Sequence, residues 1–140
     1  MLAAEVYETL VEDGLKVNLY TGQEKREIPG ATHASATIEM ANVHKEYDVV
    51  VIDEIQMISD ASRGAAWTKA LLGLRCKEIH VCGGIEAREI VEKLCEVCGD
   101  DFELTTYERF GKLRVSNRSL SNKPTKPGCY KQVGIEPLGI

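Results

Sequence analysis

Four apolar residues, Val49-Val50-Val51-Ile52, run directly into two carboxylates, Asp53 and Glu54. A buried strand ending in an acidic pair is the Walker B arrangement, in which the first carboxylate helps hold Mg²⁺ on a nucleotide and the second orients the attacking water. The adjacency has a reason: consecutive side chains at a strand end point in different directions, so one faces the metal and the other the water. Acidic residues also end strands for solubility alone, and the pattern by itself leaves that reading open. Other chemistry-bearing residues are less organised. Cys95 and Cys98 form a CxxC, but no second pair and no HxxxH follows, and two ligands do not make a structural zinc site. Both fall on a helical apolar pattern and read as buried thiols. The five cysteines are odd in number and scattered, which fits reduced intracellular thiols better than a disulfide framework. His33, His44 and His80 are not spaced as ligands, and His80, inside a strand pattern, reads as a hydrogen-bonded structural residue. Trp67 reads as a core-packing aromatic, and Arg63 as a partner for Asp60 or another carboxylate near a helix start.

The elements that must carry these residues follow from periodicity. Leu2, Val6 and Leu10 recur at helical spacing, with Gly14 placed to end the helix in a left-handed conformation. Leu15, Val17 and Leu19 alternate with polar neighbours as in a strand, Thr21 to Gly30 reads as a loop, and Ala34 to Ile38 as a short strand. The β-branched run from Tyr47 is continuous, as expected for a central parallel strand covered on both faces. Asp60 is placed to cap a helix carrying Trp67, Leu71 and Leu74 on one stripe. Lys77 to Cys82 gives another strand, closed by Gly83-Gly84. A third helix presents Ile90, Val91, Leu94, Val97 and Cys98 as its apolar face and stops at Gly99, and Phe102 to Tyr107 alternates as a last strand. Helices and strands thus alternate to about residue 107, the pattern of an α/β layered sheet. A domain edge near residue 108 follows, because the pattern stops at Arg109. In an open parallel sheet, ligands bind at the carboxyl edge, where Asp53 and Glu54 lie.

Composition bounds the class. The chain has 140 residues, 44% hydrophobic and 28% charged, near the averages for a globular domain. No apolar run exceeds four residues, far short of the roughly 20 that span a bilayer, so no membrane partner is expected. The first basic residue is Lys16, and neither a secretory signal nor an Arg-rich presequence is visible. A net charge of −5 excludes nucleic-acid binding through bulk positive charge. The charge is uneven: residues 1–108 carry 10 basic and 21 acidic side chains, residues 109–140 carry 7 and 1. Such a basic tail reads as a solvated linker, with a phosphate-contacting arm as the sharper alternative.

The text around the acidic pair is more particular than the pair. Asp53-Glu54-Ile55-Gln56 continues through Arg63-Gly64-Ala65-Ala66-Trp67-Thr68-Lys69-Ala70-Leu71-Leu72-Gly73-Leu74. This stretch resembles the mitochondrial degradosome RNA helicases, the suppressor-of-Var type within helicase superfamily two, whose box reads DEIQ followed by RGxAWTxALLGL. Thr21-Gly22 with Glu24 is similar to the family's TGEE segment, Ala36 to Met40 to its TVEM segment, and Ile79 to Gly83 to its VHLCG segment. The matches keep the family's order over roughly residues 1 to 120.

The resemblance implies an ATP-dependent RNA helicase that couples ATP hydrolysis to unwinding in mitochondrial RNA turnover, with an exoribonuclease partner and with ATP and Mg²⁺ as cofactors. Its implied fold is a partial RecA-like, P-loop NTPase type, parallel sheet flanked by helices. Residues 1–108 would be the back half of the first RecA-like domain, and residues 109–140 an irregular interdomain linker with a diverged start of the second domain. Asp53 would be the Mg²⁺-associated carboxylate, holding the metal through water, and Glu54 the catalytic, water-activating one. Gln56 would link the nucleotide state to the domain interface. Thr21, Gly22, Thr37 and Glu39 match segments along the RNA path, and Cys82-Gly83 the motif coupling hydrolysis to unwinding. The 140 residues contain no GxxxxGK[ST], so a sheet lacking the P-loop strand, and a fragment nearly inert in hydrolysis, are expected. Two other readings stay open: a non-catalytic truncated module binding RNA or the exoribonuclease, and an unrelated α/β ATPase.

Overall fold

A computed structural model describes residues 2–107, 113–115 and 135–137. The chain divides into two units, Met1–Phe102 and Glu103–Ile140.

In the first unit, helix α1 (Ala3–Glu12) leads into strand β1 (Val17–Tyr20). The helix stops because Gly14 takes φ +83°, letting its N–H reach the Val11 carbonyl (2.9 Å) and the Leu15 N–H reach that of Leu10 (3.1 Å). These two bonds satisfy carbonyls that the helix end leaves open. β1 buries Val17 and Leu19 on one face, as its alternation predicts. It pairs parallel with β3 (His33–Ala36) and antiparallel with the short β2 (Lys25–Arg26), giving the order β2-β1-β3. The stretch expected as a plain loop therefore holds a hairpin strand. Ser35, buried on β3, donates its hydroxyl to the Ala3 carbonyl at 2.7 Å and ties α1 to this sheet.

A single-turn 3-10 segment, Ile38–Met40, leads on to β4 (Glu46–Ile52), which pairs parallel with β5 (Arg75–Val81). Between them lie the 3-10 turn Ile55–Ser59 and helix α2 (Gly64–Gly73); after β5 come another 3-10 turn, Ile85–Ala87, and helix α3 (Arg88–Cys98). The core of this half is Ile52, Ile55, Ile58, Trp67, Ala70, Ala87 and Val91, with Leu71, Leu74, Ile79, Val81 and Leu94 packed against it. Asp60 supports the entry to α2: its Oδ1 accepts from the N–H groups of Ser62 (2.9 Å) and Arg63 (2.8 Å). Gly64 then passes so close to the preceding turn that a Cβ there would lie 2.5 Å from the Ile58 carbonyl oxygen.

Several expectations are corrected. β4 is covered on one face only among the described residues: Val50 and Ile52 face the core, whereas Val49 and Val51 are 54% and 65% exposed. The physical reason is that α2 and α3 pack their core residues toward the Val50 and Ile52 side. On α3 the inward stripe is Val91, Leu94 and Cys95, continued from Ala87 of the preceding turn; Val97 is 84% exposed, and Cys98 is exposed and not a buried thiol. Burial of the Cys95 thiol raises its pKa. Phe102 packs against the core, but no strand forms from Phe102 to Tyr107; the alternation finds no partner strand among the described residues.

In the second unit, β6 (Leu113–Val115) pairs antiparallel with β7 (Ile135–Pro137), a ribbon within the stretch expected to be irregular. Cys129 lies outside the described residues.

Candidate functional site

The β4–β5 ladder closes with an exchange of bonds at its carboxyl end. The Cys82 N–H donates to the Ile52 carbonyl and the Ile55 N–H to the Cys82 carbonyl, both at 2.9 Å. The two residues left between these bonds are Asp53 and Glu54, both exposed. The Asp53 Oδ1 accepts the Glu54 N–H at 2.9 Å, and the Asp53 carbonyl accepts the indole N–H of Trp67 at 3.0 Å. Glu54 sits at φ +54°, ψ +44°, a left-handed conformation that no other non-glycine residue among those described adopts. Such a residue costs on the order of 1–3 kcal/mol and persists where its neighbours over-determine it. Here the neighbours are the indole bond before it and the Ile55–Cys82 bond after it.

That strain carries a prediction. Glu54→Gly, which removes the Cβ that disfavours this conformation, is expected to raise stability by about 1 kcal/mol, while Glu54→Gln leaves stability near wild type. Urea denaturation of the three proteins checks it, and a Glu54→Gly variant no more stable than Glu54→Gln would contradict it.

Gln56 reaches across to the loop after β5, its Oε1 accepting the Gly84 N–H at 3.1 Å. Gly83 is in tight contact with the same corner: a Cβ on it would lie 2.3 Å from the Gln56 Oε1 and 2.8 Å from the Ile55 nitrogen. Asp53, Glu54, Gln56, Cys82 and Gly83 are thus brought to one edge of one strand pair.

Thr21, Gly22 and Thr37 form a second group. Parallel pairing sets Tyr20 opposite Ala36, so Thr21 and Thr37 both follow at the carboxyl edge of the β1–β3 pair. The Thr21 hydroxyl accepts the Glu24 N–H at 2.9 Å and donates to the Glu24 carbonyl at 3.1 Å, so it is engaged in its own turn, with Gly22 exposed at the tip. Thr37 donates its N–H to the Tyr20 carbonyl at 3.0 Å. Glu39 lies two residues on, in the 3-10 turn that Thr37 caps, and pairs with the other half of the unit. Its Oε1 accepts from Arg63 Nη2 at 2.9 Å, and the guanidinium lies over the Trp67 ring, 5.3 Å from its centroid. The carboxylate partner expected for Arg63 is therefore Glu39, 24 residues away, and Asp60 meets Arg63 through its backbone N–H. Trp67 is buried as expected, and its hydrogen bond to Asp53 is a role that its place on an apolar stripe does not signal.

The Arg63 guanidinium holds the Glu39 carboxyl below its usual pKa, and the Ser62 hydroxyl, followed by the Arg63 and Ser62 N–H groups, does the same for Asp60. Both folded values lie below the unfolded ones, so their stabilisation is complete above the ordinary carboxylate range near 4 and is lost as pH falls through the depressed values. Thermal midpoints from pH 6 down to pH 2 are expected to drop below about pH 4, and Glu39→Gln to shrink that drop. An unchanged acid limb in Glu39→Gln would show that the pair contributes nothing.

Two hard carboxylates at an open strand edge suit Mg²⁺, which keeps several waters and takes one or two carboxylates together with substrate phosphates. Among the described residues, no group of three or more His, Cys, Asp or Glu converges as a metal cage. None of the helices described is long and apolar enough to cross a membrane.

Residues 1–107 match the DEXQ-box helicase domain of Suv3. The chain is 48% identical over 120 residues to the mitochondrial DExH-box ATP-dependent RNA helicase DExH18 of Arabidopsis thaliana, covering 86% of this chain and 16% of that protein. It is 43% identical over 126 residues to the mitochondrial ATP-dependent RNA helicase SUV3 homolog of Drosophila melanogaster, covering 87% of this chain and 16% of the relative. Against the mitochondrial ATP-dependent RNA helicase SUV3 of Saccharomyces cerevisiae it is 41% identical over 133 residues, 91% of this chain and 17% of the relative. The chain thus spans about a sixth of the length of these curated relatives. An accidental likeness of an unrelated α/β ATPase does not produce matches of this length, and the chain belongs to the family of Suv3 DEXQ-box helicase domains.

Proposed function

We propose that this chain supplies part of the ATP-hydrolysing and RNA-contacting machinery of a mitochondrial RNA helicase. The observation that carries the proposal is the convergence of Asp53, Glu54, Gln56 and Gly83 at one strand edge, with Glu54 held in a strained backbone conformation. Bound there, Mg²⁺ would neutralise charge on the phosphates of ATP. Asp53 associates with that ion through water, and Glu54 orients the attacking water and takes its proton. Gln56, through Gly84, links this corner to the Cys82-Gly83 loop, whose movement couples turnover to unwinding. Thr21, Gly22, Thr37 and Glu39 belong to segments that line the RNA path, where backbone amides and hydroxyls meet phosphates and sugars without reading bases.

In this reading the fold is a partial RecA-like sheet, residues 1–108 belonging to the first such domain and 109–140 to the linker and the start of a second. An exoribonuclease is the partner in RNA turnover. Transition-state stabilisation in phosphoryl transfer needs many charges positioned at once, so half a site does little alone. The 140 residues are expected to show no Mg²⁺-dependent ATP hydrolysis above background in a phosphate-release assay and to bind single-stranded RNA weakly. Turnover that disappears on Glu54→Gln in the isolated chain would overturn the half-site reading.

A second reading, a non-catalytic module that binds RNA or the exoribonuclease, is favoured by the lack of a GxxxxGK[ST] in the sequence. RNA affinity indifferent to ATP, measured by fluorescence anisotropy, would decide for it.

A further inference from the structure

The corner at Asp53–Glu54 is held from behind by a side chain on a different element. Past Ile52, at the end of the β4–β5 ladder, the Trp67 indole N–H donates to the Asp53 carbonyl at 3.0 Å. Trp67 is 5% exposed and packed among Ile52, Ile55 and Ile58, so its ring has little freedom to move. The Arg63 guanidinium lies over its face and is paired in turn with Glu39. A continuous set of contacts therefore runs from the turn after β3, through Arg63 and Trp67, to the peptide that precedes the strained Glu54.

We propose that Trp67 is a positioning residue for the Asp53–Glu54 corner, and that the Glu39–Arg63 pair sets how firmly it holds. The inference rests on the reading of that corner as the acidic part of a nucleotide site, and it adds what regulates it. A ligand that draws Glu39 or Arg63 away loosens the indole bond, and the left-handed Glu54 loses one of its two clamps. The planar guanidinium matters as much as the charge, because only a flat cation both stacks on the ring and pairs with the carboxylate.

The test is amide and indole hydrogen exchange by ¹⁵N NMR on the 140-residue chain, comparing wild type with Glu39→Gln and with Arg63→Lys. Neither substitution touches Asp53 or the indole N–H directly. In both, the Trp67 indole N–H is expected to exchange about 2- to 30-fold faster, the span of coupling seen for such contact networks, with shifted Glu54 and Ile55 amides. The β4 ladder amides are expected to keep their protection. Changes confined to residues beside 39 and 63 would overturn the proposal, and so would a uniform loss of protection across β4, which is ordinary destabilisation. Because the readout needs neither nucleotide nor turnover, a helicase found not to depend on Glu54 would defeat the Mg²⁺ reading while leaving the positioning to be decided by exchange.

Discussion

Gly83→Ala is expected to destabilise the chain by on the order of 2–3 kcal/mol and to separate the two strand-end loops. The added Cβ would meet the Gln56 Oε1 at 2.3 Å and the Ile55 nitrogen at 2.8 Å. The flexible side-chain amide gives way only by abandoning the Gly84 N–H, a net loss of about 1 kcal/mol. The Ile55 nitrogen has no such freedom, since it is fixed by its bond to the Cys82 carbonyl. A double-mutant cycle separates the two contributions. Gln56→Ala alone costs about 1 kcal/mol, and Gly83→Ala on the Gln56→Ala background costs less than on wild type but is not neutral, because the backbone contact remains. Urea denaturation of the four proteins measures this. Strict additivity would mean that Gln56 and Gly83 do not share a contact in solution.

The second large effect falls on catalysis, read in a full-length helicase of this family carrying these residues in its matching segment. Glu54→Gln keeps the shape of the side chain and its strained backbone but removes the group that takes a proton from water. A loss of about 100-fold or more in turnover is the expected scale for removing one positioned group from such a site. Nucleotide affinity is expected to stay within a few-fold, because in the proposed arrangement the metal contact falls to Asp53 and not to Glu54. Asp53→Asn is expected to differ in kind, weakening Mg²⁺-dependent binding as well as turnover.

Much of this was legible in the residues themselves, and the reason differs from element to element. The Val49–Ile52 run marks a parallel strand, although only Val50 and Ile52 of it face the core, and Gly14 and Gly99 carry a strong local signal because a left-handed helix end selects glycine. The meeting of Asp53, Glu54, Cys82 and Gly83 follows from parallel pairing, which brings successive strand ends to one edge. The Glu39–Arg63 pair and the Trp67 bond to Asp53 were not legible, because they join residues that no periodicity relates. Nor was the left-handed Glu54, since carboxylates carry no marker for that conformation. Val97 and Phe102 to Tyr107 show the opposite failure: apolar residues at the right period do not become buried or paired unless another element supplies the opposite surface. The antiparallel ribbon of Leu113–Val115 with Ile135–Pro137 joins short segments 19 residues apart, beyond the reach of any hairpin signal.

The central claim is that Asp53 and Glu54 serve a magnesium-bound nucleotide at the β4 edge. The measurement that tests it most directly is RNA-stimulated, Mg²⁺-dependent ATP hydrolysis by a full-length helicase of this family carrying these residues in its matching segment, wild type beside Glu54→Gln, with ATP affinity determined for both. Turnover reduced by about two orders of magnitude at nearly unchanged affinity is the predicted result. Turnover within twofold of wild type would contradict it and leave the acidic pair as a solvated strand end.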